Sequence, residues 1–163
     1  MASSPDDREA LRHLTPDDVD DAYKALMEGL RTTLPGVMVL FAFLLTIPVQ
    51  VSFLSLTFDE RTAYYIAFVS SAIAAILLIA PSAHQRVRAP QTGIRRRSAR
   101  HLWFTVRMTI VGTAFFAVAL GAATYLVTAI VLDQRLAAAV TALIVLLAAW
   151  AWFWLPAIQF EHD

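Results

Sequence analysis

The chain has 163 residues, 58% hydrophobic and 16% charged, with 13 basic and 13 acidic side chains in balance and no cysteine. Soluble domains average about 45–50% apolar and about 25% charged residues, so this excess excludes a disordered chain. The missing cysteine excludes a disulfide scaffold, a Cys-ligated zinc or iron–sulfur site and thiol chemistry, and the length suits one domain.

Residues 1–33 form an acidic tail. Ser4-Pro5-Asp6-Asp7 recurs as Thr15-Pro16-Asp17-Asp18. Each is a helix start, with a hydroxyl N-cap, proline at the first helical position and acids at the positive end of the helix dipole. The second start predicts an amphipathic helix from about Pro16 to Thr33, with Val19, Ala22, Tyr23, Leu26 and Leu30 on its apolar face. Acids outnumber bases in the tail, so an anionic leaflet would repel it, and it is expected to lie near the arginines of the middle loop.

Four uncharged apolar runs follow, at 34–58, 62–83, 108–132 and 136–160. Each exceeds the roughly 20 residues that carry a helix across the hydrocarbon core. Buried helices of a soluble domain would need polar faces, which these runs lack. The expected fold is an all-α membrane protein, a four-helix transmembrane bundle (34–160) of two hairpins with an N-terminal cytoplasmic amphipathic helix. A basic start and a short apolar stretch, as in a cleaved signal peptide, do not precede the first run, so it is expected to stay in the mature protein.

Arginine placement predicts the orientation. Arg8, Arg12, Lys24 and Arg31 precede the first run, and the loop 84–107 holds Arg86, Arg88, Arg95, Arg96, Arg97, Arg100 and Arg107. The short turns Asp59-Glu60-Arg61 and Asp133-Gln134-Arg135 carry one arginine each. The positive-inside rule then places both termini and the loop in the cytoplasm of a multi-pass bacterial inner-membrane protein. Trp103, Trp150, Trp152 and Trp154 fall at the inner ends of the runs and Tyr64 and Tyr65 at an outer end, as aromatic belts do. The loop arginines are expected to set topology and to touch anionic lipid. Nucleic acid is not expected, because the basic surface is small and lacks stacking aromatics.

The two hairpins resemble each other in their Asp-x-Arg turns, in Pro81 and Pro156 near the inner ends, and in the breakers Pro48 and Gly121, which suggests a parallel repeat. Small residues at Ala67, Ser71 and Ala75, and at Thr113, Ala117, Gly121, Thr124 and Thr128, predict close helix–helix contact. Proton and ion pathways expose ionisable groups within the membrane, and none lies in the core of a run. The deepest polar candidates are Gln50, Tyr125 and the carbonyl of Leu44, which Pro48 frees from its helical hydrogen bond. The histidines do not pair at metal-ligand spacing, and nucleophile, phosphate-loop and dinucleotide motifs are missing, so no catalytic residue, metal or cofactor is predicted and an enzyme is not expected.

The stretch Glu28-Gly-Leu-Arg31 with Leu34-Pro-Gly-Val-Met-Val-Leu-Phe-Ala-Phe-Leu-Leu-Thr-Ile-Pro48, then Arg61 with Tyr64, then Ala80-Pro81 with His84 and Arg86, resembles an uncharacterised family of small actinobacterial membrane proteins. The likeness covers roughly residues 28–160, and Ala99 replaces the asparagine that usually precedes Arg100 there. Members are often labelled sodium:proton antiporters. The resemblance implies the fold and points to Glu28, Arg31, Gln50, Arg61, Pro81 and His84 as positions to test, with Glu28 and Arg31 as a pair near the inner mouth. The expected function is a non-enzymatic accessory or structural bundle that binds partner helices or lipid within a larger membrane complex. The alternative is a small homo-oligomeric ion or proton channel or transporter.

Overall fold

A computed structural model describes residues 15–50, 55–88 and 99–154. They form four helices and, among the described residues, no strand: α1 (Pro16–Thr46), α2 (Phe58–Arg88), α3 (Ala99–Val131) and α4 (Gln134–Ala149). A 3-10 turn, Ile47–Val49, closes α1, and a π turn, Trp150–Trp154, closes α4. All four helices are long and apolar enough to cross a membrane, and the chain is a four-helix membrane bundle.

The helices α1, α2 and α4 begin on side-chain caps. Thr15 and Asp18 make a capping box: the Thr15 hydroxyl accepts from the Asp18 N–H, and the Asp18 carboxylate accepts from the Thr15 N–H at 2.9 Å. Thr57 and Glu60 repeat the motif, since the Thr57 N–H donates to the Glu60 carboxylate at 2.7 Å and the Glu60 N–H donates to the Thr57 hydroxyl at 3.4 Å. The carboxylate of Asp133 accepts from the Leu136 N–H at 3.4 Å.

The hydrogen bonds from the Thr15 hydroxyl and backbone hold the Asp18 carboxyl below the usual carboxylate range. A depressed folded-state pKa stabilises the cap above the unfolded-state pKa, and that stabilisation is lost as pH falls through the folded value. The protection of the first-turn amides of α1, taken relative to their intrinsic exchange rate at each pH, should therefore fall on acidification. In Asp18→Asn this turn should exchange quickly already at neutral pH, with a smaller pH response.

The helix boundaries differ from the expected spans in four places. The run 34–58 is not one helix, because α1 ends at Thr46 and Gln50 is extended. Pro48 has no N–H to continue the ladder, and its ring crowds the preceding turn. The amphipathic segment is not separate, for α1 runs unbroken through Pro35 into the membrane. Asp59, Glu60 and Arg61 form the first turn of α2 rather than a reverse turn, because Thr57 caps the helix ahead of them, and Gln134 and Arg135 likewise open α4 behind the Asp133 cap. The ends of the expected loop 84–107 are helical to Arg88 and again from Ala99, while 89–98, with Arg95, Arg96 and Arg97, lie outside the described residues. Pro156 and the end of the expected fourth span also lie outside them.

Burial follows a seven-residue period. Tyr23, Leu30, Val37 and Leu44 are buried on α1. Tyr64, Ser71 and Leu78, and Ala67, Ala74 and Pro81, are buried on α2. Thr105, Gly112, Ala119 and Leu126 are buried on α3. A repeat of seven keeps one seam facing its neighbour, as in left-handed helix bundles. The pair α2–α3 is the most closely packed; α4 lies on α3, and α1 lies on α2 and lightly on α3.

Two clusters result. Leu44, Ala63, Tyr64, Ala67, Ala123 and Leu126 fill the end near the Pro48 break, while Leu30, Val37, Ala74 and Leu78 fill the other, with Phe115 and Phe116 packed against them. Where helices cannot gain from leaving water, close backbone approach and dispersion supply the attraction.

Candidate functional site

The break after α1 is built from three elements. Pro48 leaves the Leu44 carbonyl without its in-helix donor, and the hydroxyl of Tyr64 on α2 donates to that carbonyl at 3.2 Å. Tyr64 is 4% exposed, and its ring stacks on Phe68 with centroids 6.0 Å apart. Phe68 stacks in turn on Phe41 of α1 at 5.3 Å. Tyr125 of α3 packs against the same cluster. The freed carbonyl is thus occupied from within the fold. Tyr65 is 58% exposed and suits the headgroup belt, whereas its neighbour Tyr64 has the interior role that the sequence reading gave to neither. Its signal was present, because Tyr64 shares the seven-residue stripe of Ser71 and Leu78.

The membrane-depth hydroxyls also turn inward on their own helices. Ser71 donates to the Phe68 carbonyl at 2.8 Å, Thr113 to Thr109 at 2.9 Å, Thr124 to Leu120 at 2.8 Å and Thr128 to Thr124 at 2.7 Å. Of the predicted α3 stripe, Gly121 meets α4 at Val145, while Gly112, outside that stripe, meets α2 at Leu77 and Leu78 on another face of α3.

The selected polar positions do not converge. Gln50 and Arg61 are exposed near the Pro48 end, where Gln134 of α4 donates to Asp59 of α2 at 3.3 Å and ties the two helix starts. Glu28, Arg31 and His84 are exposed near the other end. Glu28 and Arg31 make no ion pair with each other or with any other described residue, so the expected pair is not formed. The antiparallel register that brings Leu44 to Tyr64 and Leu30 to Leu78 sets Arg31 level with Leu77 and Glu28 level with Ala80. Counted from Arg61, a hydrocarbon slab of ~30 Å ends some 20 residues along α2, near Pro81. Arg31 therefore stands about 6 Å inside that boundary, at 1.5 Å per residue, and faces outward, where its long stem lets the guanidinium snorkel to the headgroups.

At the same end the His84 ring meets the Phe104 ring of α3 edge-on at 6.4 Å. The Arg107 guanidinium lies over the Trp103 ring, 5.6 Å from its centroid. Arg86 and Arg88 occupy the last turn of α2, and Arg100 the first turn of α3. Trp150, Trp152 and Trp154 are exposed on the π turn, and Trp152 stacks on Phe116 at 5.8 Å. Aromatics and arginines thus gather at one end of the bundle. Among the described residues, no group of three or more His, Asp or Glu could hold a metal.

No curated protein and no solved structure matches the chain. Residues 15–156 match a family of unknown function, DUF6328, whose description names neither an activity nor a lineage. That match runs from the Thr15 cap to beyond the π turn, across every described helix, and the chain belongs to this DUF6328 family.

Proposed function

We propose that this protein is a non-enzymatic accessory subunit of the bacterial cytoplasmic membrane, with both termini in the cytoplasm, whose bundle binds the transmembrane helices of a larger complex. One observation carries this reading. At membrane depth the packed seams of the described helices are mostly apolar, the hydroxyls named above bond to carbonyls of their own helices, and the Leu44 carbonyl is taken by Tyr64. A proton or ion relay needs ionisable groups facing an interior path. The orientation rests on the basic ends of α2 and α3 and the start of α1 lying together.

One feature favours the competing reading of a homo-oligomeric channel or transporter. Arg31 and Glu28 face outward close to membrane depth, so an assembly of several copies would bring them around a shared axis. The two readings separate in one pair of measurements. The protein, taken from its own membranes into nanodiscs, should run in native mass spectrometry as one copy bound to larger membrane proteins. Purified protein in vesicles should pass neither protons nor sodium above the empty-vesicle rate. A discrete homo-oligomer together with a flux that Glu28→Gln abolishes would overturn the accessory role.

A further inference from the structure

We infer that the paired ends of α2 and α3 form a seat for the headgroup of an anionic phospholipid, with Arg107 as its phosphate-binding cation and Trp103 and Phe104 as its flanking rings. The inference rests on the membrane placement alone and stands whether the bundle is an accessory subunit or a channel.

Four observations converge on this place. The apolar stretch of α2 ends at His84 and that of α3 begins at Leu102, so both helices cross the headgroup level here. Arg107 is exposed and pairs with no carboxylate among the described residues, yet its guanidinium is held over the Trp103 ring at 5.6 Å. A guanidinium on an aromatic face is oriented but keeps its in-plane N–H donors free, and that fork matches phosphate oxygens. Trp103 and Phe104 are 37% and 49% exposed, which suits rings packed along a glycerol backbone and the first methylenes of an acyl chain. His84 reaches the Phe104 ring at 6.4 Å and brings the α2 end, with Arg86 and Arg88 in its last turn, against the same ring. The sequence from Ser82 to Arg88 and from Ala99 to Arg107 contains four arginines, Arg86, Arg88, Arg100 and Arg107, and no acid.

Charge complementarity therefore selects an anionic lipid over a zwitterionic one. The opposite end of the bundle serves as an internal control, because Arg61 and Arg135 there stand beside Asp59, Glu60 and Asp133.

The full chain is reconstituted in nanodiscs of mixed phosphatidylcholine and phosphatidylglycerol, released gently into detergent, and the retained lipids are counted by native mass spectrometry. Phosphatidylglycerol should be retained over phosphatidylcholine by about fivefold or more, the preference one surface arginine confers. Arg107→Gln should lower the preference about fivefold, Trp103→Leu should lower it in part, and Arg135→Gln should leave it unchanged. Salt should weaken the preference of the unaltered protein, a readout that does not depend on any variant folding. Retention of the two lipids in the proportion supplied would overturn the inference. So would a salt-insensitive preference, an Arg107→Gln protein that folds and retains lipid as before, or displacement of the lipid by inorganic phosphate, which would mark a site for a free anion.

Discussion

Replacing Gly112 with leucine should unfold the α2–α3 pair in detergent at a markedly lower temperature than the parent protein. A Cβ at Gly112 would lie 2.9 Å from Leu78 Cγ and 3.2 Å from Leu77 Cβ. Neither atom is the free tip of a flexible chain. Leu78 of α2 is fully buried between α1 and α3, so its branch point has nowhere to go. Overpacking a closed site costs about 1–3 kcal/mol and occasionally more, and a full leucine side chain belongs at or above the top of that range. Gly112→Ala tests the same contact more finely. Alanine gains roughly 1 kcal/mol of helix propensity over glycine, so the net change reports how far the clash exceeds that gain. Gly121→Ala should also destabilise, since its Cβ would meet Val145 Cγ2 at 2.6 Å and valine has little rotamer freedom in a helix. Gly29 and Gly36 have nothing within 4 Å of an added Cβ, so alanine at either should be neutral or stabilising. Thermal unfolding of the four alanine variants, followed by circular dichroism, ranks them. Equal midpoints at all four would contradict the packing described for α2, α3 and α4.

The second large effect is expected at the Pro48 break. Tyr64→Ala removes a buried ring and its hydroxyl together and should cost about 3–5 kcal/mol, the range for aromatic deletions in packed cores. Tyr64→Phe keeps the stack on Phe68 and isolates the hydrogen bond to the Leu44 carbonyl, with an expected loss of about 1 kcal/mol. Pro48→Ala restores an N–H one turn after Leu44, able to bond the same carbonyl along the helix. In a Pro48→Ala background the further loss from Tyr64→Phe should therefore shrink towards zero. A double-mutant cycle measures this coupling directly. Additive effects would mean that the hydroxyl does not serve the carbonyl that Pro48 frees. The cycle also bears on function: if this bond only closes the helix end, the variants should change stability and leave partner binding intact.

Much of the architecture was legible from residues alone. Thr15-Pro-Asp-Asp18 starts α1 where local capping chemistry puts it, whereas Asp133, the cap of α4, was read as part of a turn. The start of α2 was equally written in Thr57-Phe-Asp-Glu60, a capping box, but the charges of Asp59, Glu60 and Arg61 suggested a turn instead. Pro48 marked the end of α1 as a breaker, and the apolar run continuing to Phe58 concealed it. The candidate site was less legible. Glu28, Arg31, Gln50, Arg61 and His84 were singled out by the family resemblance, and the fold leaves them exposed at two opposite ends. Arg107 was read as one of the loop arginines that set topology and touch lipid, whereas the fold sets its guanidinium over the Trp103 ring.

The division has one physical cause. Crossing a bilayer requires long uncharged runs whose backbone bonds are satisfied within the helix, so composition and caps alone determined that this chain spans the membrane four times. In water, a packed face is apolar and an exposed face is polar, and the period of that contrast tells one from the other. In lipid both faces are apolar, and the contrast vanishes. Which of Tyr64 and Tyr65 turns inward, which side of α3 meets Leu78 and which meets Val145, and how far Arg31 sits along its neighbour were therefore decided only when the helices packed, through backbone approach at Gly112 and Gly121 and the bond from Tyr64 to Leu44.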